Sequence, residues 1–101
     1  LTADQGKMWC HNFSIPLKEF KDYQEMIDVM EEQLISSGFS IFGKLEKKFG
    51  ETDITVMWGL CESHLACHSF SEIGEIQFQL ASCNYEKYRN FLDLNAKEFG
   101  C

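Results

Sequence analysis

Apolar residues recur along this chain in two rhythms. Met8 to Ile15 reads as a short strand, which Pro16 ends. From Leu17 to Ser37 the positions Leu17, Phe20, Met26, Ile27, Met30, Leu34 and Ile35 recur at three- and four-residue steps. That is one stripe of an amphipathic helix, with Lys18, Asp22, Glu25 and Glu32 on the wet side. Gly38 follows as a left-handed C-terminal cap. Phe39, Ile41 and Leu45 then alternate with polar or small residues, as a half-buried strand would. Gly50 to Asp53 form a turn. In the next strand Ile54, Val56, Trp58 and Leu60 share one face, and Thr55, Met57 and Gly59 the other. A further strand runs through Ile76, Phe78 and Leu80. Asn84 caps a last helix that carries Tyr88, Phe91, Leu92 and Phe99 inward, with Gly100 past its end.

Strand, helix, strands, helix, with short turns between successive strands, predicts an α+β fold: a two-layer sandwich, an antiparallel sheet with two helices on one face. Residues 1–101 form a single domain in this reading, because the length allows one modest core. The sheet's other face stays open, and Trp58 and Phe78 are expected among the large apolar residues on it. A chain this small rarely leaves such a surface wet, so a homodimer through sheet faces or edges is expected.

The net charge of −7 and the single arginine, Arg89, speak against nucleic acid or an anionic membrane as partner. No apolar run is long enough to span a bilayer. The chain opens on Leu1 rather than a methionine, which suggests that a few leading residues are missing or trimmed. Five cysteines, an odd number without a disulfide-framework spacing, fit reduced thiols and a cytoplasmic location.

The segment Glu62-Ser63-His64-Leu65-Ala66-Cys67-His68-Ser69-Phe70-Ser71-Glu72 carries the most chemistry. A serine can attack the carbonyl before it in an N-to-O acyl shift. That step needs a donor on the carbonyl oxygen and a base near the serine. His64 and His68 are candidate bases, and Thr55 brings a hydroxyl on the preceding strand. On these residues alone the signal is weak, since serine beside histidine is common. Cys61, His64, Cys67 and His68 do not converge as zinc ligands, because 61 and 67 point one way along a strand while 64 and 68 point the other. Taken singly, Phe49 and Phe70 read as core, Glu72 as a solvated turn carboxylate, and Cys10, Cys61, Cys67, Cys83 and Cys101 as ordinary thiols.

The combined pattern resembles the small prokaryotic type of pyruvoyl-dependent S-adenosylmethionine decarboxylase, from about Trp9 onward and most sharply over residues 49 to 84. That family's motif reads Glu-Ser-His, two variable residues, His, Thr or Ser, aromatic, Pro, Glu. Glu62, Ser63, His64, His68, Ser69, Phe70 and Glu72 fit it, and Ser71 stands at the usual proline. Ser82-Cys83-Asn84 stands at the family's Thr-Cys-Gly, and Thr55 at its processing serine.

The resemblance implies self-cleavage between Glu62 and Ser63 into chains 1–62 and 63–101, supported by Thr55 and His68. Ser63 would become the pyruvoyl cofactor, which condenses with the substrate amine as a Schiff base. It further implies Cys83 as proton donor, Phe49 and Phe70 as the stack for adenine, and Glu72 as the partner of the ribose hydroxyls. The implied substrate is S-adenosylmethionine, and the product the aminopropyl donor for spermidine. Two alternatives stay open: the same machinery acting on arginine or ornithine, and an uncleaved homologue that binds ligand or regulates a partner. His64 has no firm role.

Overall fold

The computed structural model describes residues 7–100. Five antiparallel strands form one sheet: β1 (Trp9–Pro16), β2 (Ile41–Phe49), β3 (Asp53–Leu60), β4 (Ser63–Phe70) and β5 (Glu75–Ser82). Their spatial order is β1-β5-β4-β3-β2, so β2 to β5 form a meander and β1 closes the far edge against β5. Two helices, α1 (Tyr23–Ser36) and α2 (Tyr85–Phe99), cover one face, giving the predicted two-layer α+β sandwich.

The first helix starts later than the apolar stripe suggests. Leu17–Glu19 make a 3-10 turn, and Asp22 then caps α1 by accepting the Glu25 N–H at 2.8 Å. Leu17 donates its own N–H to the Gly74 carbonyl at 2.9 Å, which holds this turn to the β4–β5 connection. Met26, Ile27, Met30 and Leu34 are buried, but Ile35 is exposed. It lies about 100° round the helix from Leu34, beyond the edge of the stripe. Gly38 ends the helix at φ 104, where a side chain would be strained.

Trp58 and Phe78 are not on the open face. Both are buried under the helices, because they share the parity of Val56 and Leu60 and of Ile76 and Leu80. Trp58 donates its indole N–H to Glu31 of α1 at 2.8 Å, and Phe13 stacks on Phe78 with ring centroids 4.9 Å apart. The helices join through a polar bridge in which Asn95 donates to Gln33 and Gln33 to Glu98, each at 2.9 Å. Each large apolar side chain fully buried in this layer contributes roughly 1.5–3 kcal/mol.

The open face is apolar in a different place. A register shift between Ile41 and Gly43 absorbs Phe42 as a bulge and reverses the parity of β2 beyond it. Leu45, expected to face inward with Phe39 and Ile41, is therefore 72% exposed. Phe42, Leu45 and Met57 together form an exposed apolar patch beside Gly59. Across β4, β5 and β1 the same face is polar. Asn12, Ser14, Ala66, His68, Gln77 and Gln79 line a groove there of about 540 Å³. Among the described residues, no helix is long and apolar enough to cross a membrane.

Candidate functional site

The structure divides the sequence-predicted residues into two groups. The first is built around the β3–β4 turn. Cys61 and Glu62 are its two residues, so Cys61 lies in a turn rather than on a continuous strand. Glu62 adopts φ 61, a left-handed conformation that is costly for a residue with a side chain. Ser63 opens β4, half-buried on the helix-facing side, and pairs in register with Ser82.

Beyond β5 the chain turns into α2 through Cys83 and Asn84, and this return wraps the Glu62–Ser63 peptide. The Cys83 thiol donates to the Glu62 carbonyl oxygen at 3.1 Å and lies 3.5 Å from Glu62 Oε2. The Ser63 hydroxyl donates to Ser82 Oγ at 2.7 Å. The sequence marked Ser82 only as part of the Ser82-Cys83-Asn84 triplet and gave it no role, since its contact depends on cross-strand register. Asn84, at the family's glycine, caps α2 by accepting the Lys87 N–H at 3.1 Å. Its φ of −108 is open to any residue, so nothing here requires glycine.

The second group lies at the other end of β3 and β4. Thr55 Oγ1 and His68 Nδ1 are 2.9 Å apart, paired across the strands on the open face. The threonine methyl therefore leaves this contact intact. Phe49 and Phe70 end their strands on the same face and are 53% and 43% exposed, so neither is a core residue. Phe49 pairs with Asp53, and continuing the Thr55–His68 register by two residues brings Asp53 opposite Phe70. The two ring-bearing backbones are thus two strand spacings apart, roughly 10 Å. Glu72 is exposed in the turn that follows Phe70.

Asp53, likewise assigned no role from the sequence, ties this end together. Its carboxylate accepts the Ser71 N–H at 2.9 Å, the Ser69 hydroxyl at 2.9 Å and the Ser71 hydroxyl at 3.1 Å. The Ser71 N–H first, and then the Ser69 hydroxyl, hold its carboxyl below the usual aspartate range. A proline at position 71 could not donate that N–H.

The groups do not meet within one chain. Ser63 and His68 are five residues apart on one strand and on opposite faces, a separation of roughly 17 Å along β4. His64 shares the open face and approaches Gln79, with Nε2 and Oε1 3.5 Å apart. Cys67 points inward, where burial pushes its thiol up to about 12, so it stays protonated and inert. Cys101 lies outside the described residues. Among the described residues no cluster of histidine, cysteine and carboxylate side chains is arranged to hold a metal.

The antiparallel sheet layered with two helices is a known architecture. The architecture is similar to the crystal structure of the adenosylmethionine decarboxylase from Aquifex aeolicus VF5, with a TM-score of 0.71 over 90% of this chain and 79% of that one. Sequence identity to it is 12%, so this likeness is one of fold. Residues 11–101 match the sequence profile of the S-adenosylmethionine decarboxylase family, and the chain belongs to that family. Comparison with the sequences of curated proteins returns no match.

Proposed function

We propose that this chain is a self-processing, pyruvoyl-dependent decarboxylase of S-adenosylmethionine, cut between Glu62 and Ser63 into 1–62 and 63–101. The observation that carries the reading is the Cys83 thiol on the Glu62 carbonyl at 3.1 Å. A donor there polarises the carbonyl that the neighbouring serine must attack, and stabilises the oxyanion as it forms. The left-handed Glu62 adds backbone strain beside the same bond.

In the acyl shift Ser63 Oγ adds to the Glu62 carbonyl carbon, the C–N bond breaks, and the hydroxyl proton ends on the freed amine. Loss of the Ser63 α-proton then expels the Glu62 carboxylate and leaves dehydroalanine, which water converts to pyruvoyl and ammonia. The residues present fit this route: a serine at the strand start, a thiol on the scissile carbonyl, the Thr55 hydroxyl to support the acyl shift and the His68 imidazole for the elimination. The pyruvoyl group supplies an electron sink when the substrate carboxylate leaves. Cys83, already beside residue 63, is the group that returns a proton to carbon. The exposed rings of Phe49 and Phe70 suit a planar adenine better than a bare arginine or ornithine, and Glu72 suits the ribose hydroxyls.

Two copies complete the site. Thr55, His68, Phe49, Phe70 and Glu72 lie far from Ser63 of their own chain, so they act on Ser63 of a second copy in a homodimer. The exposed Phe42, Leu45 and Met57 supply an apolar face for that copy to cover. Cys10, Cys61 and Cys67 as thiols rather than disulfides support a reducing, cytoplasmic setting. The product serves as the aminopropyl donor for spermidine.

The test is the intact mass of denatured, reduced protein, followed by a carbonyl-reactive hydrazine. Two fragments split at Glu62–Ser63, the second with a reactive carbonyl at its start, are expected. One stable species at 11.7 kDa with no reactive carbonyl would overturn the reading in favour of an uncleaved binding or regulatory protein.

A further inference from the structure

We infer that Ser82 is the residue that positions Ser63 for self-cleavage, an inference that rests on the self-processing reading above. Ser82 ends β5 fully buried, directly opposite Ser63 in the β4–β5 register. The Ser63 hydroxyl donates to Ser82 Oγ at 2.7 Å. Ser82 Oγ also accepts the Asn84 N–H at 3.0 Å and donates to the Asn84 carbonyl at 3.3 Å. A hydroxyl has one hydrogen and two lone pairs, and all three are in use. Buried and saturated, Ser82 has no alternative partner to turn toward. It is a fixed acceptor, and it sets the direction of Ser63 Oγ.

Its chain neighbour holds the other half of the reaction. Cys83 contacts the Glu62 carbonyl while Ser82 contacts the Ser63 hydroxyl. Two successive residues thus hold the electrophile and the nucleophile on either side of one peptide link. Asn84 anchors Ser82, since it bonds Ser82 through its backbone and caps α2 through its side chain. Ser82 is a positioning residue and not a base. Its own proton is directed at a backbone carbonyl, too weak a base to pass it to, so the Ser63 proton leaves for the freed amine as described. A threonine at this position keeps the hydroxyl.

The experiment follows cleavage of freshly purified full chain by mass spectrometry, with and without hydroxylamine, which splits an ester but not an amide. Wild type, Ser82→Ala, Ser82→Thr and Ser82→Cys are compared, with melting temperature as the check of folding. Ser82→Ala is expected to slow cleavage by about tenfold to a hundredfold, the scale of a misplaced reacting group. Hydroxylamine should not restore it, because the ester does not form. Ser82→Thr should cleave within a few-fold of wild type, as judged by the same positional scale. Ser82→Cys keeps the shape, with a slightly larger atom, but accepts poorly, so it should be slow, and it carries the test if Ser82→Ala does not fold. Wild-type cleavage rates in folded Ser82→Ala or Ser82→Cys would overturn the inference. So would restoration by hydroxylamine, which would mean the ester forms and a later step fails. A wild type that never cleaves would be seen in the control, and would remove the self-processing reading and this inference together.

Discussion

Thr55 and His68 meet across β3 and β4 with Oγ1 and Nδ1 2.9 Å apart, on the sheet face turned away from Ser63. A hydroxyl–imidazole pair this close is suited to moving a proton, yet Ser63 of its own chain lies out of its reach. The separation follows from the period of a strand: positions 63 and 68 differ by an odd number, so their side chains leave opposite faces.

Mixing two defective chains should therefore restore activity. Ser63→Ala lacks the nucleophile and His68→Ala lacks the imidazole, and each alone should be inactive. In a mixed dimer one site takes Ser63 from one chain and His68 from the other, and is whole. Co-expression should return cleaved protein and decarboxylation, read by mass spectrometry and CO₂ release. No recovery, with mixed dimers demonstrated, would mean that each site is built from one chain.

In the proposed mechanism Cys83 has two tasks that substitutions can separate. Cys83→Ala removes the donor from the Glu62 carbonyl and should slow self-cleavage on the order of 10²-fold, as loss of an oxyanion donor does. Cys83→Ser keeps a donor there and should cleave more readily than alanine. Its weaker acid should still lower the decarboxylation rate by about 10²-fold or more, the scale of lost general-acid catalysis. Cleavage and turnover assays on the two variants check both.

Asp53 sets a pH dependence of stability at the aromatic end. Its folded-state pKa lies below the unfolded value, chiefly through the Ser71 N–H and the Ser69 hydroxyl. Its stabilisation is therefore complete above the unfolded value of about 3.9, and is lost as pH falls from there through the folded value. Wild type should melt above Asp53→Asn near neutral pH, and the gap should close below about pH 4. Ser71→Pro, which restores the family's usual residue, removes the N–H donor and should lose part of the same dependence. A gap that is constant with pH would contradict the assignment.

Gly59→Ala looks like a clash and should not behave as one. The added Cβ would lie 2.7 Å from Cζ of Phe42, but that ring is 75% exposed and is the far end of a flexible side chain. In a single chain, with no second copy over it, the ring can swing into solvent, while alanine lowers the backbone entropy lost in a strand. The net change should be about 1 kcal/mol or less in either direction, measured by chemical denaturation. A large loss would mean that Phe42 is pinned.

Much of the fold is legible in the sequence because its signals are local. The β3 parity, the Asn84 cap and the Gly38 terminus each depend on residues within one turn or strand. The start of α1 was also written there, as Asp22 followed three residues later by Glu25, but Leu17 and Phe20 continue the apolar stripe and mask it. Leu45 was not legible, since its outward direction depends on a bulge at Phe42 that alternation alone does not reveal. At the site, the residues around Ser63 were marked by the family resemblance, since serine beside histidine is a weak signal by itself. The contacts of Ser82 and Asp53 could not be read there, because each is fixed by a strand or turn distant in sequence.

The strand order bears on what a broken Glu62–Ser63 bond would leave behind. β4 and β5, from the downstream piece, lie between β1 on one side and β3 on the other, and both flanking strands come from the upstream piece. Trp9–Pro16 would remain laddered to Glu75–Ser82, and Thr55–Leu60 to Ser63–His68. The shorter piece is clasped like a tongue between two jaws, and to leave it would have to unzip both sides at once. The nick would then give the molecule a new chain end without giving it a loose part.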